Sequence, residues 1–470
     1  MSTQPNLQEL PVVIVGAGPI GLAAAAHLLE RGLEPMVLEA GASVGASALE
    51  WGHVPMFSPW RYDVDQACRR LLAQEGWQEP DPQAFPTGRN LVERYLVPLS
   101  LAPQMAPWLR LRTRVESVAR SQVGKVRSAG RDAMPFEVRT RHADGHEARL
   151  LARAVIVATG TWGNPNPAGA SGLPALGERA AVSLGRVRYG MPDVLGAERG
   201  RYAGRRVLVV GSGHSAIGTL LDLARLAGEA PGTRVLWAAR ATDLTRAWGG
   251  GAADQLPERG ALGRRLHGIV EAGIVGLLAG FAVDRIAISP EGELHISSSD
   301  GRRVMADELV TATGLRPDLV PLSELRLDLD PALECPRVLA PLIDPNLHSC
   351  GTVRPHGATE LEQPDAGLFL AGMVSYGRAP TFLLATGYEQ VRSIAAQLAG
   401  DLEAARRVEL DLPQTGVCSG PRAAVAEPDA CCTPATPQGE CCAPKAELPP
   451  ASPCCGGSAK RERDLVEPAK

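Results

Sequence analysis

Residues 11–39 read PVVIVGAGPIGLAAAAHLLERGLEPMVLE, and this stretch decides the fold. The run Val12–Val15 is apolar throughout, which is typical of a strand buried in a parallel sheet. Gly16, Gly18 and Gly21 follow with the spacing GxGxxG. The first glycine allows a sharp turn, the second lets a pyrophosphate approach bare backbone, and the third lets helix and strand pack closely. The stretch therefore predicts a dinucleotide site in which the phosphates face the N-terminus of the helix.

Glu39 stands at the end of the second strand of this unit, where a carboxylate can accept hydrogen bonds from an adenosine ribose. A membrane span is an alternative interpretation of residues 11–29, because they carry no formal charge. Three glycines, Pro19 and four consecutive alanines make this a poor apolar segment, and no basic flank precedes it. We therefore prefer the nucleotide site.

The chain has 470 residues, enough for two or three domains with a large core. Its 45% hydrophobic and 21% charged residues are ordinary for a globular protein. A net charge of -4 provides no strong basic field, so nucleic acid is not expected as a partner. Since residues 11–29 make a poor membrane span, a membrane is not expected as a partner either. The start, MSTQPNLQEL, lacks the features of a signal peptide, so we expect a cytoplasmic protein with reduced cysteines. The sequence leaves a homodimer open.

A second unit with the same plan reads RRVLVVGSGHSAIGTLLDLARLAG. Its turn has the spacing GxGxxA, formed by Gly211, Gly213 and Ala216. The next strand ends at Arg240, where the first unit has its acid, and a cation there can pair with a 2'-phosphate. This favours NADPH over NADH. A surface arginine without a ligand is the alternative for Arg240, and Arg246 is a second candidate.

Two further apolar strands end in small residues, which lets the chain pass close to a bound cofactor. Ala154–Val157 precedes Ala-Thr-Gly, so Thr159 and Gly160 are candidate cofactor contacts. The strand at 309–312 ends in Thr-Gly and suggests that the chain returns there to the first domain. We expect an α/β protein with two Rossmann-like domains, the second inserted in the first. The predicted boundaries are 1–165 and 306–405 for the first domain, 166–305 for the second, and 406–470 for a tail.

Two clusters of chemically active side chains each have two interpretations. The aromatic segment at 53–62 can line a ring-shaped cofactor or simply fill a core. His348, Cys350 and His356 can bind a metal ion or approach a substrate. They can also be an incidental set in a loop rich in proline and glycine.

These features together resemble the two-dinucleotide-binding-domain flavoproteins, and within them the flavin-containing monooxygenases. The resemblance covers about residues 10–400 and implies FAD in the first domain and NADPH in the second. It implies that Gly372 contacts the FAD. A helix at about 381–398 would point its N-terminus at the flavin, although an apolar helix that packs on a sheet would look the same in sequence. In such enzymes NADPH reduces the flavin, and dioxygen then supplies one oxygen atom to N, S, a metalloid or a carbonyl carbon. The cofactor carries this chemistry, so the catalytic residues are unknown and no acid or base is assigned.

The sequence departs from the monooxygenase pattern in one respect and from the disulfide reductases in another. The signature FxGxxxHxxx(Y/F) is missing before the second glycine turn, where the chain reads SLGRVRYGMPDVLGAERGRYAGRR. No cysteine pair follows the first unit, where flavin-linked disulfide reductases carry one. The resemblance is therefore specific for the two cofactors and less specific for the reaction.

From about residue 410 the composition changes to proline, alanine and glycine, too poor in large apolar residues to form a core, so we expect a disordered tail. This tail holds Cys418 and three adjacent cysteine pairs. The pairs, which we predict as metal ligands, are Cys431, Cys432, Cys441, Cys442, Cys454 and Cys455. Two neighbouring thiolates can converge on one thiophilic ion, and their spacing does not fit a CxxC zinc site. The tail resembles those of arsenic- and mercury-resistance proteins, which makes arsenite the expected ligand; incidental cysteines are the alternative.

Three functions remain open at this stage. The first is an NADPH-dependent flavin monooxygenase or oxidoreductase with a small-molecule or metalloid substrate, acting in metalloid detoxification. The second is an NADPH reductase that passes electrons to the sulfur atoms of the tail or to a partner disulfide. The third is a metalloid-binding protein with a structural or sensory flavin.

Overall fold

The apolar run Val12–Val15 forms β1, the central strand of a parallel five-stranded sheet in the computed structural model. The structure describes residues 6–249, 257–347, 353–380 and 382–410, apart from the side chains of Arg246, Pro257 and Arg259. These residues belong to one compact unit, Met1–Pro421.

The described residues form both strands and helices. The strands are β1 Val12–Val15, β2 Pro35–Leu38, β3 Leu109–Arg110, β4 Thr113–Arg120, β5 Phe136–His142, β6 Glu147–Ala152, β7 Ala154–Val157, β8 Val187–Tyr189, β9 Arg206–Val210, β10 Arg234–Ala239, β11 Val275–Ala279, β12 Val283–Ile288, β13 Leu294–Ser298, β14 Arg303–Ala306, β15 Glu308–Thr311 and β16 Leu368–Leu370. The α-helices are α1 Pro19–Glu30, α2 Ala46–Glu50, α3 Trp60–Asp63, α4 Gln66–Gln74, α5 Gly88–Leu91, α6 Val97–Leu101, α7 Glu178–Ser183, α8 Arg199–Tyr202, α9 His214–Glu229, α10 Thr245–Trp248, α11 Pro257–Glu271, α12 Ala340–Ile343, α13 Ala358–Leu361, α14 Leu384–Leu398 and α15 Leu402–Arg406. A π-helical turn, Val92–Leu96, joins α5 to α6, and short 3-10 turns lie at Leu7–Glu9, Ala106–Trp108, Val320–Leu322 and Gly372–Tyr376.

Two parallel sheets of five strands organise the described residues. The first has the strand order β16-β7-β1-β2-β3, and the second has the order β11-β10-β9-β15-β8. Each sheet is accompanied by a three-stranded antiparallel sheet, β4-β5-β6 in the first domain and β12-β13-β14 in the second. β16 follows all strands of the second sheet in the sequence, but it pairs with β7 of the first sheet. The second domain is therefore inserted in the first, as predicted.

The prediction that the strand at 309–312 belongs to the first domain is wrong. β15 lies in the second sheet, where it pairs with β9 and β8. The second domain therefore extends at least to Thr311, beyond the predicted boundary at 305, and the predicted start of the returning segment at 306 is too early. An apolar strand that ends in small residues would fit in either sheet, so its composition does not predict which strand it pairs with.

The core of the first domain lies between the sheet and helices α1 and α14. Ala23, Ala24, Ala25 and Ala26 of α1 are fully buried, and their small side chains let neighbouring elements approach. A Cβ at Gly387 of α14 would lie 2.5 Å from Cδ1 of Ile20, so these two helices touch near their N-termini. The predicted helix at 381–398 begins at Leu384 in the structure, and Thr381 lies outside the described residues.

No helix among the described residues combines the length and the apolar character needed to cross a bilayer.

Candidate cofactor sites

The first glycine turn requires glycine at two positions for steric reasons. Gly16 has a φ of 104°, and a Cβ there would lie 2.8 Å from the carbonyl oxygen of Ala158. A Cβ at Gly21 would lie 1.9 Å from the carbonyl oxygen of Gly16. At Gly18, the N-cap of α1, a Cβ would meet no atom within 4 Å. The space beside this helix N-terminus is therefore open, and it fits a pyrophosphate.

Glu39 follows β2 and holds two parts of the backbone around this turn. Its Oε2 accepts a hydrogen bond from the N–H of Ala17 at 2.8 Å, and its Oε1 accepts one from the N–H of Gly41 at 2.7 Å. Each carboxylate oxygen keeps a second lone pair. The carboxylate is therefore fixed in position by the backbone and can still accept hydrogen bonds from a ribose.

A cavity of about 540 Å³ extends from the first glycine turn to the crossover between the domains. This volume lies within the usual range for sites that hold small molecules and cofactors. The cavity brings together four residues that the sequence predicts as cofactor contacts, namely Gly16, Glu39, Thr159 and Gly160. Gly160 has a φ of 65°, and a Cβ there would meet no atom within 4 Å. These residues fit an FAD that lies along the carboxyl ends of the strands.

The far wall of the cavity includes two aromatic side chains that sequence reasoning missed. The indole N–H of Trp162 donates to Oε2 of Glu50 at 2.8 Å, and the hydroxyl of Tyr189 donates to Oε1 of Glu178 at 2.6 Å. Their partners are 112 and 11 residues away along the chain, and no motif connects them.

Gly372 lies in the first domain, but its backbone polar groups are used within the protein. Its N–H donates to Oε1 of Gln390 at 2.7 Å, and its carbonyl oxygen accepts from the hydroxyl of Ser375 at 2.7 Å. A Cβ at Gly372 would lie 3.0 Å from Cγ1 of Ile20. The packing of Gly372 against α1 thus explains why glycine stands at this position, and the predicted contact with FAD stays a prediction.

His356 belongs to the same buried network. Its Nε2 accepts from the amide of Gln390 at 2.8 Å, and its Nδ1 donates to the carbonyl oxygen of Arg354 at 3.1 Å; we assign this tautomer from the partners. Burial lowers the pKa of His356, so the ring is neutral. Its two nitrogens are engaged, which favours a structural part for this histidine. His348 and Cys350 lie outside the described residues.

The second glycine turn repeats the plan of the first with one change. Gly211 has a φ of 131°, and a Cβ there would lie 2.2 Å from the carbonyl oxygen of Ala312. At Gly213, the N-cap of α9, a Cβ would meet no atom within 4 Å. Ala216 at the third position is fully buried. The open space beside the N-terminus of α9 fits the pyrophosphate of a second dinucleotide.

Arg240 follows β10 and is exposed at the carboxyl edge of the second sheet. Its Nη1 donates to the carbonyl oxygen of Ala170 at 2.8 Å. A guanidinium has five N–H donors, so this bond leaves donors for a phosphate. The side chain of the second candidate, Arg246, lies outside the described part of the structure.

The loop after α2 contacts the second domain through two side chains. The ring of Phe57 lies 5.4 Å from the ring of His214, the first residue of α9. Burial raises the pKa of Asp222 on α9, and the charge of His53 opposes this shift, which places His53 near Asp222. Trp60 of the same aromatic segment is buried in the core of the first domain. The segment therefore both fills a core and contacts the helix of the second glycine turn.

The thiols of the described residues are Cys68 and Cys335, and both are buried. Burial raises the pKa of Cys68 well above its usual range and that of Cys335 to about 12. These thiols are therefore protonated and unreactive at neutral pH. The part of the chain that the structure describes contains no group of three or more His, Cys, Asp or Glu residues that could hold a metal ion. The predicted cysteine ligands, from Cys431 to Cys455, lie outside it.

Comparison with known protein families identifies two matching models. The model of FAD dependent oxidoreductases matches residues 11–93, which contain the first glycine turn and Glu39. The model of L-lysine 6-monooxygenase/L-ornithine 5-monooxygenase matches residues 102–247, which contain the crossover and the second glycine turn.

Individual proteins are similar over different lengths. Ferredoxin–NADP reductase 1 of Cupriavidus pinatubonensis is 28% identical over 397 residues, which cover 81% of this chain and 85% of that protein. Indole-3-pyruvate monooxygenase YUCCA1 of rice is 31% identical over 220 residues, and the chain spans 45% of its length. The solved structure of the bacillithiol disulfide reductase of Bacillus cereus superposes with a TM-score of 0.59 at 23% identity, covering 83% of this chain and 99% of that one. This last likeness shows the fold alone.

The two nucleotide sites and the matched models together define the class of the protein. The chain is an enzyme, an oxidoreductase with FAD and NADPH as its cofactors. Its fold is that of two-domain flavoproteins with the second nucleotide-binding domain inserted in the first.

Proposed function

We propose that the enzyme is an NADPH-dependent flavin monooxygenase that oxidises a soft atom of a small substrate, and that it acts in arsenic or other metalloid detoxification. The observation that carries the monooxygenase assignment is that the thiols of the described residues are buried and protonated. Cys68 and Cys335 are buried with raised pKa values, so the described residues offer no reactive dithiol beside the FAD cavity. The monooxygenase model matched over residues 102–247 supports the same reaction.

In this proposal each glycine turn holds one dinucleotide. The turn from Gly16 to Gly21 and the carboxylate of Glu39 bind the FAD, while the turn from Gly211 to Ala216 binds NADPH. Arg240 supplies the cation for the 2'-phosphate. The bound flavin supplies the redox chemistry, and the protein holds the reactants in order and excludes water. The reaction consumes NADPH, a proton, dioxygen and the reduced substrate, and it yields NADP⁺, water and the substrate with one added oxygen atom.

A second candidate function is favoured by the length over which one relative aligns with this chain. The ferredoxin–NADP reductase of Cupriavidus pinatubonensis covers 81% of this chain, whereas the rice monooxygenase covers 45%. The alternative is therefore a reductase that passes electrons from NADPH through FAD to a protein partner or to thiols, such as those of the tail. It differs from the first function because it needs no dioxygen.

Anaerobic reduction followed by air separates the two functions. We expect NADPH to bleach the flavin of the full-length enzyme without air, and air to restore the colour with uptake of labelled oxygen into a trial substrate, either arsenite or a thioether. Formation of a reduced ferredoxin or free thiols without air, and no labelled product with air, would contradict the monooxygenase. A flavin that NADPH does not bleach would instead indicate a metalloid-binding protein with a structural flavin.

The tail is tested separately, because its cysteine pairs are our reason for naming arsenite. Replacing the six paired cysteines, from Cys431 to Cys455, by serine keeps the length of the tail and removes its thiolates. We expect this variant and a chain without residues 410–470 to lose arsenite binding in calorimetry while NADPH oxidation persists. Unchanged arsenite affinity in both variants would reject the metalloid part of the proposal.

A further inference from the structure

The two nucleotide units of this chain differ at two positions. One is the third position of the glycine motif, which lies on the helix, and the other lies on the second strand of the unit. The third position of the motif is Gly21 in the first domain and Ala216 in the second. The second difference lies in the second strand of each unit. In the first unit Val37 pairs with Ile14, and at the equivalent place in the second unit Trp237 pairs with Val209. Trp237 and Ala216 lie in one buried cluster of the second domain. The repeat thus provides an internal comparison of two solutions to the same turn.

In the first turn, the carbonyl group of the first glycine excludes a side chain at the third position. A Cβ at Gly21 would lie only 1.9 Å from the carbonyl oxygen of Gly16. Val37 has no side-chain donor that could hold this oxygen in another direction. The first unit therefore depends on glycine at position 21.

In the second turn, the same carbonyl group has a different partner. The indole N–H of Trp237 donates to the carbonyl oxygen of Gly211 at 2.6 Å, and Trp237 is fully buried. Ala216 carries the Cβ that the first turn excludes. The second turn therefore combines a Cβ at its third position with a first carbonyl group that is held by a buried indole.

The direction of this carbonyl also fixes the next N–H group. In a trans peptide the carbonyl oxygen of one residue and the N–H of the next point in opposite directions. A Gly211 carbonyl that faces the buried indole of Trp237 therefore turns the N–H of Ser212 the other way, and Ser212 is exposed. That N–H belongs to the turn beside the N-terminus of α9.

We propose that Trp237 is a positioning residue of the NADPH site. Its indole fixes the Gly211–Ser212 peptide so that Ala216 is accommodated and the Ser212 N–H faces the pyrophosphate. The inference rests on the proposed assignment of the second turn to NADPH.

The test is a double-mutant cycle on the full-length enzyme. We expect Trp237→Phe, which keeps an aromatic ring but removes the N–H, to raise the KM for NADPH by about fivefold to tenfold, the usual effect of one lost hydrogen bond. The change should leave FAD content intact and move kcat less than KM. Adding Ala216→Gly to Trp237→Phe should recover most of the loss, because the released carbonyl then meets no Cβ. Ala216→Gly alone completes the cycle and gives the effect of the missing Cβ while the indole N–H is in place.

Trp77→Phe is the matched control, because the indole N–H of Trp77 donates to the carbonyl oxygen of Arg94 at 2.8 Å in the first domain. It should not alter the KM for NADPH. If Trp237→Phe does not fold, position 237 is replaced by benzothienylalanine, which keeps the shape of tryptophan but lacks its N–H. Calorimetry then gives the affinity of this variant for NADP⁺.

An unchanged KM in Trp237→Phe, or additive effects in the double variant, would overturn the inference. A parent enzyme that does not oxidise NADPH at all would instead count against the proposed function.

Discussion

Asp63, the last residue of α3, is a carboxyl group inside the core of the first domain. It is fully buried, and its Oδ1 accepts a hydrogen bond from the hydroxyl of Ser58 at 2.8 Å. Its Oδ2 is buried without a hydrogen-bond partner among the described residues. Burial raises the pKa of Asp63 to about 8, and the bond from Ser58 opposes this shift only in part. The carboxyl group is therefore protonated at neutral pH.

We predict that Asp63→Asn stabilises the protein more as the pH rises. The folded-state pKa of about 8 lies above the usual value of 3.8, so between these values the folded state binds more protons than the unfolded state. The free energy of unfolding of the parent therefore falls as the pH rises through this window. Asparagine does not ionise, so the gain of the variant over the parent should be about 5 kcal/mol larger at pH 8.5 than near pH 4.

Urea unfolding at several pH values measures this difference. Asp65→Asn is the control: Asp65 forms a buried pair with His27 at 3.0 Å, so its loss should destabilise the protein. A gain for Asp63→Asn that does not vary with pH would contradict the assigned protonation state.

At the scale of elements, close packing of α1 depends on residues without large side chains. Gly21 lies against the carbonyl oxygen of Gly16, while Gly372 and Gly387 lie against Ile20 on the other side. The helix is thus held between β1 and α14 at distances that admit no extra methyl group. The close packing of α1 also brings the backbone of Gly16 to the cavity beside the first glycine turn.

We predict that Gly21→Ala destabilises the first domain by about 1–3 kcal/mol, the usual cost of an added methyl group in a tight core. Because the clash is with the turn itself, the bound FAD per chain should fall as well. Gly218→Ala is the matched control, since Gly218 also lies in a helix and a Cβ there would meet no atom within 4 Å. It should be neutral or slightly stabilising.

Thermal unfolding and flavin absorbance per chain report both effects. Equal behaviour of the two alanine variants would show that the Gly16 carbonyl moves aside without cost.

At the scale of the whole molecule, the sequence predicts the two nucleotide units and the insertion but not all strand neighbours. Gly16 and Gly211 are predictable because a turn of this kind imposes both spacing and conformation on the chain. β15 is assigned to the wrong domain from sequence because its composition fits either sheet. The indole bond of Trp237 and the protonated Asp63 depend on partners and burial that only tertiary packing creates. Residues 411–470 of the predicted tail and the loop of Cys350 lie outside the described residues, so the predictions made for these segments remain predictions.

Asp365 joins three distant segments of the first domain and supplies a prediction at this scale. Its fully buried carboxylate accepts from Nε and Nη2 of Arg131 at 2.6 and 2.9 Å and from the N–H of Arg326 at 2.7 Å. Burial raises the pKa of Asp365, but these bonds and the charges of Arg131 and Arg120 outweigh burial and lower it. Because the folded-state pKa is lowered, the stabilisation is present above the usual pKa of the group and is lost as the pH falls.

We predict that Asp365→Asn costs about 3–5 kcal/mol at neutral pH, because it leaves the charge of Arg131 buried without its partner. Asp328→Asn is the control, since Asp328 forms an exposed pair with Arg337, and its loss should cost less than about 1 kcal/mol. Chemical unfolding of the two variants decides the matter. Similar small losses in both would mean that Arg131 finds another partner.

The position of β16 has a consequence for biosynthesis. All strands of the second domain, β8 to β15, follow one another along the chain, whereas the first sheet receives its edge strand only when residues 368–370 have left the ribosome. During translation, the inserted domain can complete its sheet while β7 still presents an uncovered edge to other nascent chains. A messenger RNA truncated between the codons for β15 and β16 would yield a second domain with a complete sheet and a first domain with an exposed, aggregation-prone strand edge.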